Sequence, residues 1–197
     1  MSEIPFVAGK RFENLTIPNL ITYGGLLFAL IGIYLLIKNQ IVLAIIFLTL
    51  CDVYDTLDGY IARKFKMFSP IGADLDSLVD VIAFVVAPFI IAIQLNSNPL
   101  ILTAVFFVGC GIYRLARFNA EKKIPGYVKG LQVPIAAHII YLTILINPPI
   151  LILSVIYFIL GLLMVSTFKS KSRFSTGASL VLMPIIVILA AVQLLSI

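Results

Sequence analysis

CDVYDTLDGYIARKFKMFSPIGADLDSLVDV, Cys51 to Val81, carries six of the nine acidic residues of the chain: Asp52, Asp55, Asp58, Asp74, Asp76 and Asp80. Long apolar runs flank it on both sides. Carboxylates in such surroundings are costly unless they are paired, bind metal or face water, which makes the stretch the functional candidate. Its punctuation also sets the local fold. The run that begins at Ile41 continues without a breaker to Lys66, Ser69 and Pro70 interrupt it, and a new apolar run starts at Ile71. Two helices joined by a short turn are expected, with the carboxylates toward the joined ends.

The rest of the chain repeats the apolar pattern. Of 197 residues, 61% are hydrophobic and 12% charged, with mean hydropathy +1.14, far from a soluble domain. Runs near bilayer length favour helices over a β-barrel, whose strands alternate over about ten residues. The expected fold is all-α, a polytopic membrane helical bundle of six core transmembrane helices plus a seventh. The helices are placed at Pro18 to Ile37, Ile41 to Lys66, Ile71 to Ile93 with a kink at Pro88, Pro99 to Arg117, and Gln132 to Ile146. A sixth follows the Asn147-Pro148-Pro149 turn as far as Thr167, and Gly177 to Leu195 is the seventh. Residues 1–17, without a signal-peptide pattern, form a cytoplasmic juxtamembrane arm, and residues 18–197 the membrane domain. Cys51 and Cys110 lie in apolar runs and read as small buried hydrophobes.

Charge placement orients the bundle. With seven spans, Lys10, Arg11, Arg63, Lys64, Lys66, Arg114, Arg117, Lys122, Lys123, Lys129, Lys169, Lys171 and Arg173 fall on one side, and Lys38 alone on the other. The basic side is the cytoplasm, so the acidic stretch faces it in an integral protein of the cell membrane. The net charge of +5 points to anionic lipid and phosphate partners; no nucleic-acid motif appears.

At about 100° per residue, Asp55, Asp58, Gly59 and Ala62 share one helix face, and Asp76 and Asp80, four apart, stack on another. Four carboxylates converging on one point repel unless a cation balances them, and all-oxygen ligation suits Mg²⁺, Mn²⁺ or Ca²⁺. The small residues at 59 and 62 leave room for a ligand, and Arg63 suits phosphate oxygens.

The residues Asp55, Asp58, Gly59, Ala62, Arg63, Gly72, Asp76 and Asp80 match every fixed position of the signature D-x-x-D-G-x-x-A-R, eight residues, G-x-x-x-D-x-x-x-D. In this the chain resembles the CDP-alcohol phosphotransferases. IPNLIT at 17–22, LDSLVDVIAFVVAP at 75–88, RLARFN at 114–119, KGLQVPIAA at 129–137 and LMVSTFKSKSRF at 163–174 make it most similar to the serine-using branch, with phosphatidyl or archaetidyl transfer as its reaction. Many relatives in that branch read GLP where Gly130-Leu131-Gln132 stands here. The resemblance implies that Asp55, Asp58 and Asp76 hold two divalent cations, Mn²⁺ or Mg²⁺ with Ca²⁺ also compatible, and that Asp80 is a further ligand or the general base. It implies that Gly59, Ala62, Arg63 and Gly72 shape the pocket for the CDP moiety of CDP-diacylglycerol or CDP-archaeol. L-serine would be the acceptor, CMP the leaving group and a homodimer the assembly.

Serine is a zwitterion whose carboxylate needs a cationic or amide partner. Arg114, Arg117, Asn119 and Lys129 are the candidates, with positive-inside anchoring as the competing role. Arg114 and Arg117 are preferred because guanidinium forks onto carboxylates. Asn19 and Thr22 are candidate pyrophosphate contacts, with helix packing the alternative. Lys169, Lys171 and Arg173 read as headgroup anchors. Asp74 points about 200° from Asp76 and is set aside. Asp52 either tunes the site from one turn away or is a buried hydrogen-bonding group, and His138 reads as a core residue. Two other functions fit less well: an acceptor such as glycerol 3-phosphate or inositol phosphate, which wants a denser basic cluster, and a cation transporter, which would place its carboxylates at the bilayer midplane or in repeated halves.

Overall fold

The structure, a computed structural model, describes residues 16–121 and 127–196, with the side chains of residues 170–176 left aside. Apart from Thr16 and Ile17, the expected juxtamembrane arm lies outside the described residues, as do Lys122 and Lys123. Seven helical rods and one two-stranded ribbon follow in order: α1 (Ile17–Ile37), α2 (Ile41–Phe65), α3 (Gly72–Gln94), α4 (Asn98–Ala120), β1 (Tyr127–Lys129), α5 (Val133–Ile146), α6 (Ile150–Val165), β2 (Lys169–Lys171) and α7 (Ser172–Leu195). The all-α expectation holds, and the ribbon was not anticipated. Its strands run antiparallel with Val128 opposite Ser170. Three residues per strand are too few for an alternating pattern to show in the sequence.

The helix ends have local causes. Thr16, extended, accepts from the Asn19 N–H, and Pro18 occupies the first turn, where no N–H is needed. Asn39, Lys66, Asn96 and Asn147 take left-handed conformations after α1, α2, α3 and α5, and three of the four are asparagine, the residue after glycine that best tolerates that region.

Among the described residues, four helices are long and apolar enough to cross a bilayer: Ile17–Ile37, Gly72–Gln94, Asn98–Ala120 and Gly177–Leu195. Helix α2 is as long and carries Asp52, Asp55, Asp58, Arg63 and Lys64. Helix α5 keeps its expected bounds to within one residue and α6 ends two residues before Thr167; at 14 and 16 residues they span about 21 and 24 Å against a hydrocarbon core of about 30 Å. Leu27, Leu102, Leu151 and Ile188 are exposed while Asp52, Asp58, Asp80, Arg114 and His138 are buried, the inside-out distribution of a chain solvated by lipid.

Helix α1 lies along α2, α4 along α6, and α7 against α2 and α5, with α3 threaded between α1, α4 and α5. A Cβ on Gly25 would meet Tyr54 Cβ at 3.2 Å and one on Gly32 would meet Leu48 Cγ at 2.7 Å, so the small α1 face is what admits α2.

The expected kink at Pro88 takes another form. Val81–Val86 is π-helical, starting one residue after Asp80, and the Ala87 N–H bonds the Ile82 carbonyl five residues back. The next bond of that register would join Pro88 to Ala83, but proline has no N–H. Tyr141 on α5 supplies the missing donor, its hydroxyl 2.6 Å from the Ala83 carbonyl, and Tyr157 on α6 donates to the Pro88 carbonyl at 2.8 Å. Both tyrosines are fully buried, so the proline costs no orphaned acceptor at Ala83 and ties α3 to two neighbours.

Candidate metal centre and substrate recess

The carboxylates meet where α2 descends and α3 begins. Asp76 and Asp80 occupy the first turns of α3, and Asp55 reaches them from α2, ten residues before its end at Phe65. One oxygen from each of Asp55, Asp76 and Asp80 lies within 4.8 Å of the others. Three anionic groups this close, one of them the buried Asp80, cannot all stay charged without a cation, and their oxygens are the donors that hard divalent ions take. The donor set fits such an ion.

Asp58, expected beside them, stands outside that trio. It is buried and accepts a short hydrogen bond from the Thr22 hydroxyl, which bridges α1 to α2. Asn19 lies one turn before Thr22 and donates to Ser69 Oγ at 2.8 Å, and a Cβ added to Gly72 would come within 3.3 Å of Asn19 Oδ1. Asn19, Thr22 and Gly72, expected at the CDP pocket, and Asp58, expected as a metal ligand, are therefore linked to one another along α1. Gly59 is instructive here. The nearest atoms to a Cβ at this position are in the Arg63 guanidinium, at 3.1 Å from Nη1, the movable end of a long side chain. A Cβ at 25 or 32 would press on atoms near the backbone of α2, whereas at 59 it would press only on this movable guanidinium. Ala62 is half-buried in the next turn.

The four candidate serine contacts divide. Arg114 is buried, its guanidinium carbon 5.0 Å from the Phe118 ring centroid, and its charge acts on Asp80, Asp55 and Asp76. Arg117 turns away: Nη1 donates to the Val165 carbonyl at 2.8 Å and Nη2 to Met164 at 3.2 Å and Ser166 at 3.1 Å, closing the C-terminus of α6. Lys129 bonds Glu121 at 2.6 Å, and that hydrogen bond holds the Glu121 carboxyl below its ordinary value. Asn119 donates to Ser77 Oγ at 3.1 Å and to Asp74 Oδ1 at 3.2 Å, joining α4 to α3. Of the four, Arg114 is the one whose charge is coupled to those of Asp55, Asp76 and Asp80. Asp74, set aside from its angle, has Asn119 for a partner. Ser69, read as a breaker alone, is also the ligand of Asn19, a role that needed its spatial neighbour to be seen.

Residues 15–169 match the family model described as CDP-alcohol phosphatidyltransferase. The chain belongs to the CDP-alcohol phosphatidyltransferase family. The match covers α1 to α6 and the ribbon's first residue of β2, and leaves α7 outside. The CDP-diacylglycerol–serine O-phosphatidyltransferase of Methanocaldococcus jannaschii is 36% identical over 156 residues, 79% of this chain and 73% of that one. The Bacillus subtilis protein of the same name is 35% identical over 141 residues, 68% of this chain and 79% of its own. The archaetidylserine synthase of Methanothermobacter thermautotrophicus is 34% identical over 136 residues, 65% and 57% of the two chains. Membership in the CDP-alcohol phosphatidyltransferase family gives the acidic trio its context: Asp55, Asp76 and Asp80, three residues of the signature, are those that α2 and α3 bring within 4.8 Å of one another.

Proposed function

We propose that the protein transfers the phosphatidyl or archaetidyl group of a CDP-linked lipid to the hydroxyl of L-serine, with release of CMP. The observation that carries this reading is the convergence of Asp55, Asp76 and Asp80 beside the buried Arg114, in a chain whose relatives are named for serine transfer. Asp55, Asp58, Asp76 and Asp80 would hold two divalent cations, Mn²⁺ or Mg²⁺, which when bound neutralise pyrophosphate charge. Asn19 and Thr22 on α1, Gly59, Ala62 and Arg63 on α2 and Gly72 on α3 would cradle the CDP end of the lipid. The serine hydroxyl oxygen attacks the β-phosphorus, its proton passes to the Asp80 carboxylate, and the bond from that phosphorus to the CMP oxygen breaks. Arg114 would fork onto the serine carboxylate; in support, Arg117, Asn119 and Lys129 already have protein partners. With all seven helices crossing, the basic loops and the recess face the cytoplasm, where serine is dissolved.

Purified protein given Mn²⁺, a CDP-lipid and either labelled serine or labelled glycerol 3-phosphate should label lipid from serine alone. Labelling from glycerol 3-phosphate alone would overturn the choice of acceptor, and no labelling from any alcohol would overturn the reaction.

A further inference from the structure

Asp52 and His138, which the reaction does not use, lie side by side in the core, and a residue of α7 bonds the aspartate. Ser179 on α7, beyond the residues matched by the family model, donates its hydroxyl to Asp52 Oδ2. His138 on α5, fully buried, brings Nδ1 to 3.6 Å from the same oxygen. One carboxylate oxygen thus gathers α2, α5 and α7. The serine bonds the aspartate and not the histidine, so the trio is no relay for a serine nucleophile; the aspartate is what is held.

Its position gives the hold a purpose. Asp52 lies one turn before Asp55, and its charge reaches Asp55, Asp76 and Asp80. Asp55 belongs to α2 and its two partners to α3, yet α2 and the acidic turns of α3 pack through α1 more than against each other. The placement of Asp55 therefore depends on what sets the rotation of α2. Thr22 holds it from the α1 side through Asp58, and Ser179 holds it from α7 through Asp52, with His138 packed against the same carboxylate. We propose that Asp52, held by the Ser179 hydroxyl with His138 packed beside it, is a positioning residue that sets the rotation of α2 and with it the fit of Asp55 to a divalent cation shared with Asp76 and Asp80. In this way the last helix becomes part of the metal site without touching it. The inference rests on the metal reading proposed above.

The test is Mn²⁺ binding to the purified full-length protein without substrates, followed by electron paramagnetic resonance of the free ion. Partners behind metal ligands typically change affinity 10- to 100-fold, so Ser179→Ala and Asp52→Ala should each weaken binding about tenfold. Asp52→Asn keeps an oxygen for Ser179 and should stay within about threefold of the unaltered protein. A role in stability alone would lower the melting temperature and leave Mn²⁺ affinity where it was. Unchanged affinity in Ser179→Ala, which removes a single oxygen and carries the test if Asp52→Ala does not fold, overturns the inference. Equal losses in Asp52→Asn and Asp52→Ala overturn it too, by making charge the cause. No Mn²⁺ binding by the unaltered protein overturns the metal reading, and this inference with it.

Discussion

The acidic recess and the corner where α4 meets the end of α6 are built from the same kinds of residue and could hardly differ more. At the corner Arg117 has three carbonyls, Lys129 has Glu121, and Gly130 at φ 68° sits where a Cβ would come within 2.5 Å of the Met164 carbonyl. In the recess three carboxylates face one another, and an arginine lies close by. The corner is satisfied as it stands and the recess is not, which is how a structural polar cluster and a binding site part company.

The sharpest way to break this contrast is to remove a charge from the recess. Asp76→Asn should lower turnover about 10³-fold while the protein remains folded, since metal ligation and proton transfer both draw on this group of carboxylates. The two arginines, three residues apart on α4, come next. Arg114→Ala should lower kcat/KM for serine about 10²-fold, the scale for truncating one member of a buried charge pair. Arg117→Ala should instead cost about 2 kcal/mol of stability and leave the KM for serine within about twofold. Melting can be followed with a thiol-reactive dye, because Cys51 and Cys110 are free and buried. If Arg117→Ala raised the serine KM as much as Arg114→Ala, the division between the regions would fail.

Smaller effects sharpen the comparison. Tyr141→Phe leaves the Ala83 carbonyl without its donor and should cost about 1 to 3 kcal/mol in the same melting assay. Glu121→Gln should do least. Lys129 lowers the Glu121 carboxyl below 4.5, so the latch's contribution is complete above that value and is lost as pH falls through the lowered one. The difference in melting temperature between Glu121→Gln and the unaltered protein should shrink on acidification, and a difference that grew would contradict the pairing.

Much of this was legible in the sequence, for reasons that differ residue by residue. The pairing of Asp76 with Asp80 follows from a spacing of four, and the opposing Asp55 from the breaker at Ser69-Pro70; both are local rules. Arg114 and Arg117 look alike in sequence, and what separates them is that the C-terminus of α6 lies beside one of them. The π-helical turn needed Tyr141, whose hydroxyl supplies the bond that Pro88 cannot make. Asp52 looked like a bystander because Ser179 and His138 are distant in the chain, and nothing in periodicity links three helices at one oxygen. The ribbon is too short to leave a pattern.

The most direct test of the central claim, that the recess performs metal-dependent transfer to serine, is the ratio of CMP released to serine incorporated into lipid. Purified protein with a CDP-lipid and labelled serine should give one CMP for each serine-lipid in the presence of Mn²⁺, and neither product once a chelator is added. Equal yields with and without the chelator, or CMP release with no serine in the lipid, would contradict the account.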